Sequence, residues 1–144
     1  MSDIVLNTNA LRVLIDAPIV EKIIRKGDHI FVAACTWKKE LFKGIHTHLI
    51  NLFHDSVKKL YACNAFHIRK QGKDILPRNL KKAILKHGAD KCDVEIANLA
   101  YHRFKRTKQK ARLVSNDSCF QKSQHLFNHY SIRVETRDEF MAGL

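Results

Sequence analysis

Ile4-Val5-Leu6-Asn7-Thr8-Asn9 is the stretch on which the fold turns. Three consecutive apolar residues leave no polar face, so a strand made of them is buried on both sides, as a central strand of a parallel sheet is. The polar residues that follow mark its carboxyl end. Working outward, Ala10 to Ile15 has helical character, and Asp16-Ala17-Pro18 opens a helix through Arg25 with proline in the first turn. Gly27-Asp28 stops that helix, and His29-Ile30-Phe31-Val32-Ala33 is a second buried strand. From Thr36 the pattern turns helical: Leu41, Ile45, Leu49, Leu52, Phe53, Val57 and Leu60 recur at three- and four-residue spacing. This apolar stripe packs internally or pairs with a second copy of the chain, a homodimer.

Ala65 to Ile68 reads as a third strand. Pro77 starts a basic helix through Lys86, stopped by His87-Gly88, and Asp90 or Cys92 opens another that runs to about Lys105. Arg112-Leu113-Val114-Ser115 is a fourth strand, followed by a helix from Ser118 to Asn128. Ile132-Arg133-Val134 is a fifth strand, and Thr136 caps a last helix from Arg137 to Met141. Strands alternating with helices predict an α/β fold, a three-layer sandwich around a central, mostly parallel sheet of about five strands. The 144 residues contain no repeat or low-complexity linker, so residues 1–144 are expected to form a single domain.

Lys and Arg number 26 against 14 Asp and Glu, a formal charge of +12. That balance excludes an acidic disordered tail, and no apolar run approaches the roughly 20 residues a bilayer requires. Met1-Ser2-Asp3 lacks the basic start and small-residue cleavage site of a signal peptide, so a soluble, cytoplasmic protein with no membrane role is expected. Cys35, Cys63, Cys92 and Cys119 form no CxxC pair and read as reduced, mostly buried thiols. His46-x-His48 and the pair His125 and His129 lack the context of a zinc site.

Positive charge is clustered. Lys38, Lys39 and Lys43 lie together; a second patch runs from Arg69 to Lys86. The densest run carries Arg103, Lys105, Arg106, Lys108, Lys110 and Arg112. A charge run is ordinarily a solvated face, but several runs of one sign on a strongly cationic chain point to a nucleic-acid backbone.

In open parallel sheets, ligands collect beyond the carboxyl ends of the strands. That rule selects Asn7 after strand one, Glu40 beyond strand two, Asp117 after strand four, and Asp93 at the start of the helix before strand four. A cluster of carboxylates repels itself unless cations occupy it, and hard oxygen ligands suit magnesium or manganese. Each acid also has a plain alternative role. Glu40 is placed to be a solvated helix residue beside Lys38 and Lys39, Asp117 to cap the next helix, and Asp93 to satisfy its own helix N-terminus.

Here the chain resembles the PIN-domain family of small metal-dependent nucleases. Residues 4–11 are similar to the family's opening strand and Asp-Thr-Asn turn, with Asn7 in place of the first aspartate. Glu40 resembles the glutamate after strand two, and Asp93-Val94-Glu95-Ile96-Ala97 the Asp-x-x-Ile-Ala helix start. Residues 113–120 are similar to the Thr-x-Asp-x-x-Phe block with Ser115 for the threonine, and Ile132 to Phe140 resembles the closing strand. The resemblance implies a PIN-like fold and a metal site of Asn7, Glu40, Asp93 and Asp117, with Thr8, Asn9 and Ser115 as supporting polar groups. It also implies Mg2+- or Mn2+-dependent endonucleolytic hydrolysis of RNA, making RNA the polyanion that the basic residues would hold. Such an enzyme would be an RNA-processing ribonuclease or the toxin of a toxin–antitoxin pair, with an antitoxin or another protein as partner. Asn7 is either natural to a weakened or inactive member or a change made to silence a harmful nuclease. The other reading is a catalytically dead PIN-like RNA-binding module.

Overall fold

The computed structural model describes residues 1–39, 47–70 and 75–144. Strands β1 (Asp3–Leu6), β2 (His29–Ala33), β3 (Phe66–Arg69), β4 (Ala111–Val114) and β5 (Ile132–Glu135) form one sheet of order β3-β2-β1-β4-β5. Every pairing in it is parallel. The α/β sandwich is therefore as expected, with β1 at its centre. Ile4, Val5 and Leu6 have no exposed surface at all, which is what a strand apolar on both faces requires.

Alternation along each strand sends side chains to opposite faces, and each face builds its own core. Ile4, Leu6, Ile30 and Val32 pack beneath α1 (Thr8–Leu11), a 3-10 turn (Arg12–Ile15), α2 (Ala17–Lys26), α4 (Thr47–Ala62) and α9 (Arg137–Ala142). Val5, Phe31, Ala33 and Leu113 pack beneath α5 (Arg78–Lys86), α6 (Lys91–Thr107), α7 (Ser118–Gln121) and α8 (Gln124–His129). A short α3 (Ala34–Lys39) follows β2 directly. Helix ends follow local chemistry. Pro18 sits in the first turn of α2, and Gly27 takes the left-handed conformation (φ 69°) at its end, where a side chain would be strained.

Three expectations need correction. The helical stretch read from Thr36 to Leu60 falls on α3 and α4 among the described residues, with residues 40–46 between them, Leu41 and Ile45 included, lying outside the described residues. Within α4, Phe53 and Leu60 are buried, but Leu52 is exposed and does not belong to the core stripe. The helix read from Ser118 to Asn128 breaks into α7 and α8, a break that lets the buried Phe120 and Phe127 rings meet with centroids 6.0 Å apart. Lastly, the cysteines are not all reduced. Cys35 at the start of α3 is bonded to Cys92 at the start of α6, with Cα atoms 5.9 Å apart, inside the normal span of a disulfide. Cys63 is an exposed thiol; Cys119 is a buried one, and burial is the main cause that pushes its pKa up to about 12. Among the described residues, no helix is long and apolar enough to cross a membrane.

Candidate functional site

The strand order fixes where a site can form. From β1 the chain moves outward through β2 to β3, then returns to the other side of β1 for β4 and β5. The crossovers diverge between β1 and β4, and the carboxyl ends of those two strands flank the crevice that results. Asn7 follows β1 and Ser115 follows β4.

Asn7 is buried, 2% exposed, and every polar atom of its side chain is engaged. Its Oδ1 accepts from the Ala10 backbone N–H at 3.0 Å and so caps α1. Its Nδ2 donates to Ser115 Oγ at 2.7 Å and to Asp117 Oδ2 at 3.0 Å. Ser115 is fully buried; its Oγ also accepts from the Asp117 backbone N–H at 3.0 Å, and its carbonyl accepts from Gln121 Nε2 at 2.7 Å. Two chain segments 108 residues apart are thus tied through one amide. The Asp117 side chain makes no cap bond to α7, so capping is not its role here.

Asp93 arrives from α6. It forms a reciprocal capping box with Asp90: Asp93 Oδ2 accepts from the Asp90 N–H at 3.0 Å, and Asp90 Oδ1 accepts from the Asp93 N–H at 2.8 Å. Asp90 was expected to cap, and Asp93 does share the task. Asp93 also faces the crevice. A cleft of about 350 Å³ is lined by Asn7, Asp90, Asp93 and Asp117, with Thr8, Asn9 and Arg12 completing its polar wall. Burial pushes the Asp93 carboxyl up to about 6; the hydrogen bond from Asp90 works against that, and the nearby charges of Asp90 and Asp117 add to it. The Cys119 thiol feels both Asp93 and Asp117 as well, which places the two acids around the same point.

Of the four residues expected at the metal site, Asn7, Asp93 and Asp117 come together, along with the supporting Thr8, Asn9 and Ser115. Glu40 lies outside the described residues, as does Lys43, and the Lys38 and Lys39 side chains are likewise not described. Among the described residues, no group of three or more His, Cys, Asp or Glu side chains is arranged to hold a metal ion. Asp93 and Asp117 still suit a cation chemically, because two carboxylates brought to one cleft repel each other and a positive ion relieves that repulsion. Asn7 does not suit one as it stands. It offers the cleft an N–H donor, while its one oxygen is committed to Ala10. Arg12, a cation on the wall of the same cleft, was missed in the sequence because nothing there distinguishes it from other surface arginines.

The densest basic run needs sorting. Lys105, Arg106, Lys108 and Lys110 are exposed at the far end of α6, roughly 25 Å from its start by helical rise. Arg103 and Arg112, grouped with them as nucleic-acid contacts, also pair with protein carboxylates. Arg112 makes a two-pronged pair with the buried Glu135, Nε–Oε2 2.6 Å and Nη2–Oε1 3.0 Å. Arg103 Nε pairs with Asp3 Oδ2 at 2.8 Å. No protein-family model matches this chain, and no curated protein is significantly similar to it.

Proposed function

We propose that the chain is a PIN-like, divalent-cation-dependent RNA endonuclease, of RNA-processing or toxin type, whose acidic cleft is weakened by Asn7. The observation that carries this reading is the meeting of Asp93 and Asp117, from separate elements, in one cleft at the switch point of a parallel sheet. The five-stranded order and the strongly cationic chain support it. Asp93 and Asp117 would hold magnesium or manganese, with Glu40 as a further candidate ligand. When bound, such an ion polarises a phosphate and lowers the pKa of a water molecule. The chain's own residues do the rest. Ser115 and the Ala10 N–H fix the side chain at position 7, the capping box holds Asp93 at the rim, and Arg12 adds positive charge where a phosphate approaches.

The Asn7–Asp117 hydrogen bond favours a second reading, an RNA-binding module with the PIN-like fold and no chemistry. An amide donor beside Asp117 does for that carboxylate what a cation would otherwise do. RNA cleavage by the Asn7→Asp protein, with magnesium and with a chelator, separates the two. Magnesium-dependent cutting supports the nuclease. Salt-sensitive RNA binding without cutting, together with no tightening of divalent binding by calorimetry, overturns it in favour of the module. In either case the exposed run Lys105, Arg106, Lys108 and Lys110 is expected to touch phosphates. Neutralising all four should lower the log–log salt slope of single-strand binding by roughly 0.7 for each phosphate no longer neutralised.

A further inference from the structure

A second cleft lies over the face of β1, β2 and β3 that the far end of α6 borders. Its cavity, about 360 Å³, is lined by Asp3, His29, Phe31, His67, Arg69 and Arg103 among others. The buried Phe31 ring forms the floor. The His67 ring stacks on it at 4.6 Å, the Arg103 guanidinium carbon lies 4.1 Å from its centroid and that of Arg69 5.8 Å. His29 Nδ1 and His67 Nε2 are 3.1 Å apart, so a single proton lies between them and the pair presents a donor and an acceptor to each other.

Among the described residues, the charges here do not balance. Among the described residues, Asp3 is the only carboxylate lining the cleft, and it is engaged by Arg103 through Nε, outside which both Nη groups remain. Arg69 is exposed, and among the described residues its guanidinium meets the Ile68 carbonyl and no carboxylate. Burial and the positive charges of Arg69, His29 and Arg103 all hold His67 below its ordinary pKa, with Asp3 alone opposing them. Two guanidinium groups and a histidine pair gathered over one ring, in a concave site, make a receptor for a compact anion with several acceptor oxygens.

We propose that this cleft binds a phosphate group, either free or carried on a nucleotide strand. It needs neither Asp93 nor Asp117, so it stands whether or not the carboxylate cleft is catalytic. Should that cleft act on RNA, the geometry adds a register. Arg103 stands roughly 15 Å along α6 from Asp93, about four stacked nucleotides at the rise of one strand.

The test is calorimetric titration of the full chain with inorganic phosphate, with a short oligouridylate bearing a 5′-phosphate, and with the same oligomer ending in a 5′-hydroxyl. Arg69→Gln and His67→Gln are compared with Lys22→Gln, which removes a charge from α2 on the other face of the sheet. Each cleft substitution should weaken phosphate binding about tenfold, the loss of one charge-assisted hydrogen bond, and Lys22→Gln should not. Tighter binding of the 5′-phosphorylated oligomer identifies a terminal phosphate as the ligand; equal binding of both oligomers, still weakened by the cleft substitutions, identifies a backbone phosphate. The His29 and His67 ring resonances should also move when inorganic phosphate is added. Unmoved resonances, or equal affinities across the parent and all three variants, overturn the proposal. Failure of Asn7→Asp to cut RNA leaves these titrations unaffected, so the two readings fail separately.

Discussion

Replacing Asn7 with Asp tests the centre of the structure, because it changes one donor into an acceptor and moves almost nothing else. The carboxylate can still accept from the Ala10 N–H, so the cap of α1 survives. The other side of the residue is what fails. Nδ2 now donates to Asp117 at 3.0 Å, and after the change two carboxylate oxygens face each other at that distance. Coulomb repulsion there reaches about 5 kcal/mol at an effective dielectric of 20. Proton uptake limits the damage, since holding an ordinary carboxyl neutral at pH 7 costs about 4 kcal/mol. The loss expected at pH 7 in chelator is therefore about 2–4 kcal/mol, a fall of roughly 6–14 °C in Tm for a chain of this size. The added carboxyl has its folded pKa raised above the unfolded one. The penalty is thus absent below about pH 4 and grows as pH rises toward the folded pKa. A divalent ion at a hundredfold excess over its Kd should return about 2.7 kcal/mol. The swap Asn7→Asp with Asp117→Asn should recover much of the loss without any ion, because donor and acceptor merely trade places. Thermal unfolding at pH 5 and pH 7, with and without magnesium, reads all of these. A single Asn7→Asp variant as stable as the parent at pH 7 in chelator would refute the hydrogen bond on which the site is built.

The raised Asp93 pKa means that the folded protein holds a proton there more tightly than the unfolded chain, so stability falls as pH climbs from about 4 to about 6. Asp93→Asn keeps an oxygen for the capping box and should gain about 1 kcal/mol at pH 7 in chelator, discounted for solvent screening, with little gain at pH 4, by denaturant titration at both pH values. Arg112→Ala leaves the buried Glu135 only the exposed Arg133 at 4.0 Å and should cost about 3 kcal/mol in urea unfolding, while the salt slope of RNA binding stays as it was. Reduction of Cys35–Cys92, or the double change to Ser, opens a covalent loop of sequence separation 57 and should lower stability by up to about 4 kcal/mol, read as a shift in urea midpoint on adding dithiothreitol.

What the sequence revealed and what it hid divide along a physical line. Ile4-Val5-Leu6 announced a central strand because burial on both faces is written in consecutive residues. Asn7, Asp93 and Asp117 could be placed at one rim because parallel topology sends every carboxyl end to the same side. Pairings that depend on register between distant strands were not legible. Arg112 sat in a basic run and read as a phosphate contact. Only the pairing of β4 with β5, Val114 opposite Glu135, brings a buried carboxylate to its guanidinium. Cys35 and Cys92 carry no local sign of meeting, since their approach is made by the packing of α3 against α6. The break between α7 and α8 contains neither Gly nor Pro, and the seven-residue spacing of Phe120 and Phe127 suits an unbroken helix as well as a broken one.

The Cys35–Cys92 bond also changes how far apart the two middle strands are along the chain. Asn7 and Ser115 are separated by 108 residues, and the bond bypasses 57 of them, leaving a contour about half as long. The entropy of closing a loop grows only with the logarithm of its length, so halving it lowers the barrier to bringing β1 and β4 together by about 0.6 kcal/mol. That is less than a threefold change in rate. Oxidation would therefore be felt mainly in how slowly the finished fold comes apart, and hardly at all in how soon its sheet first closes.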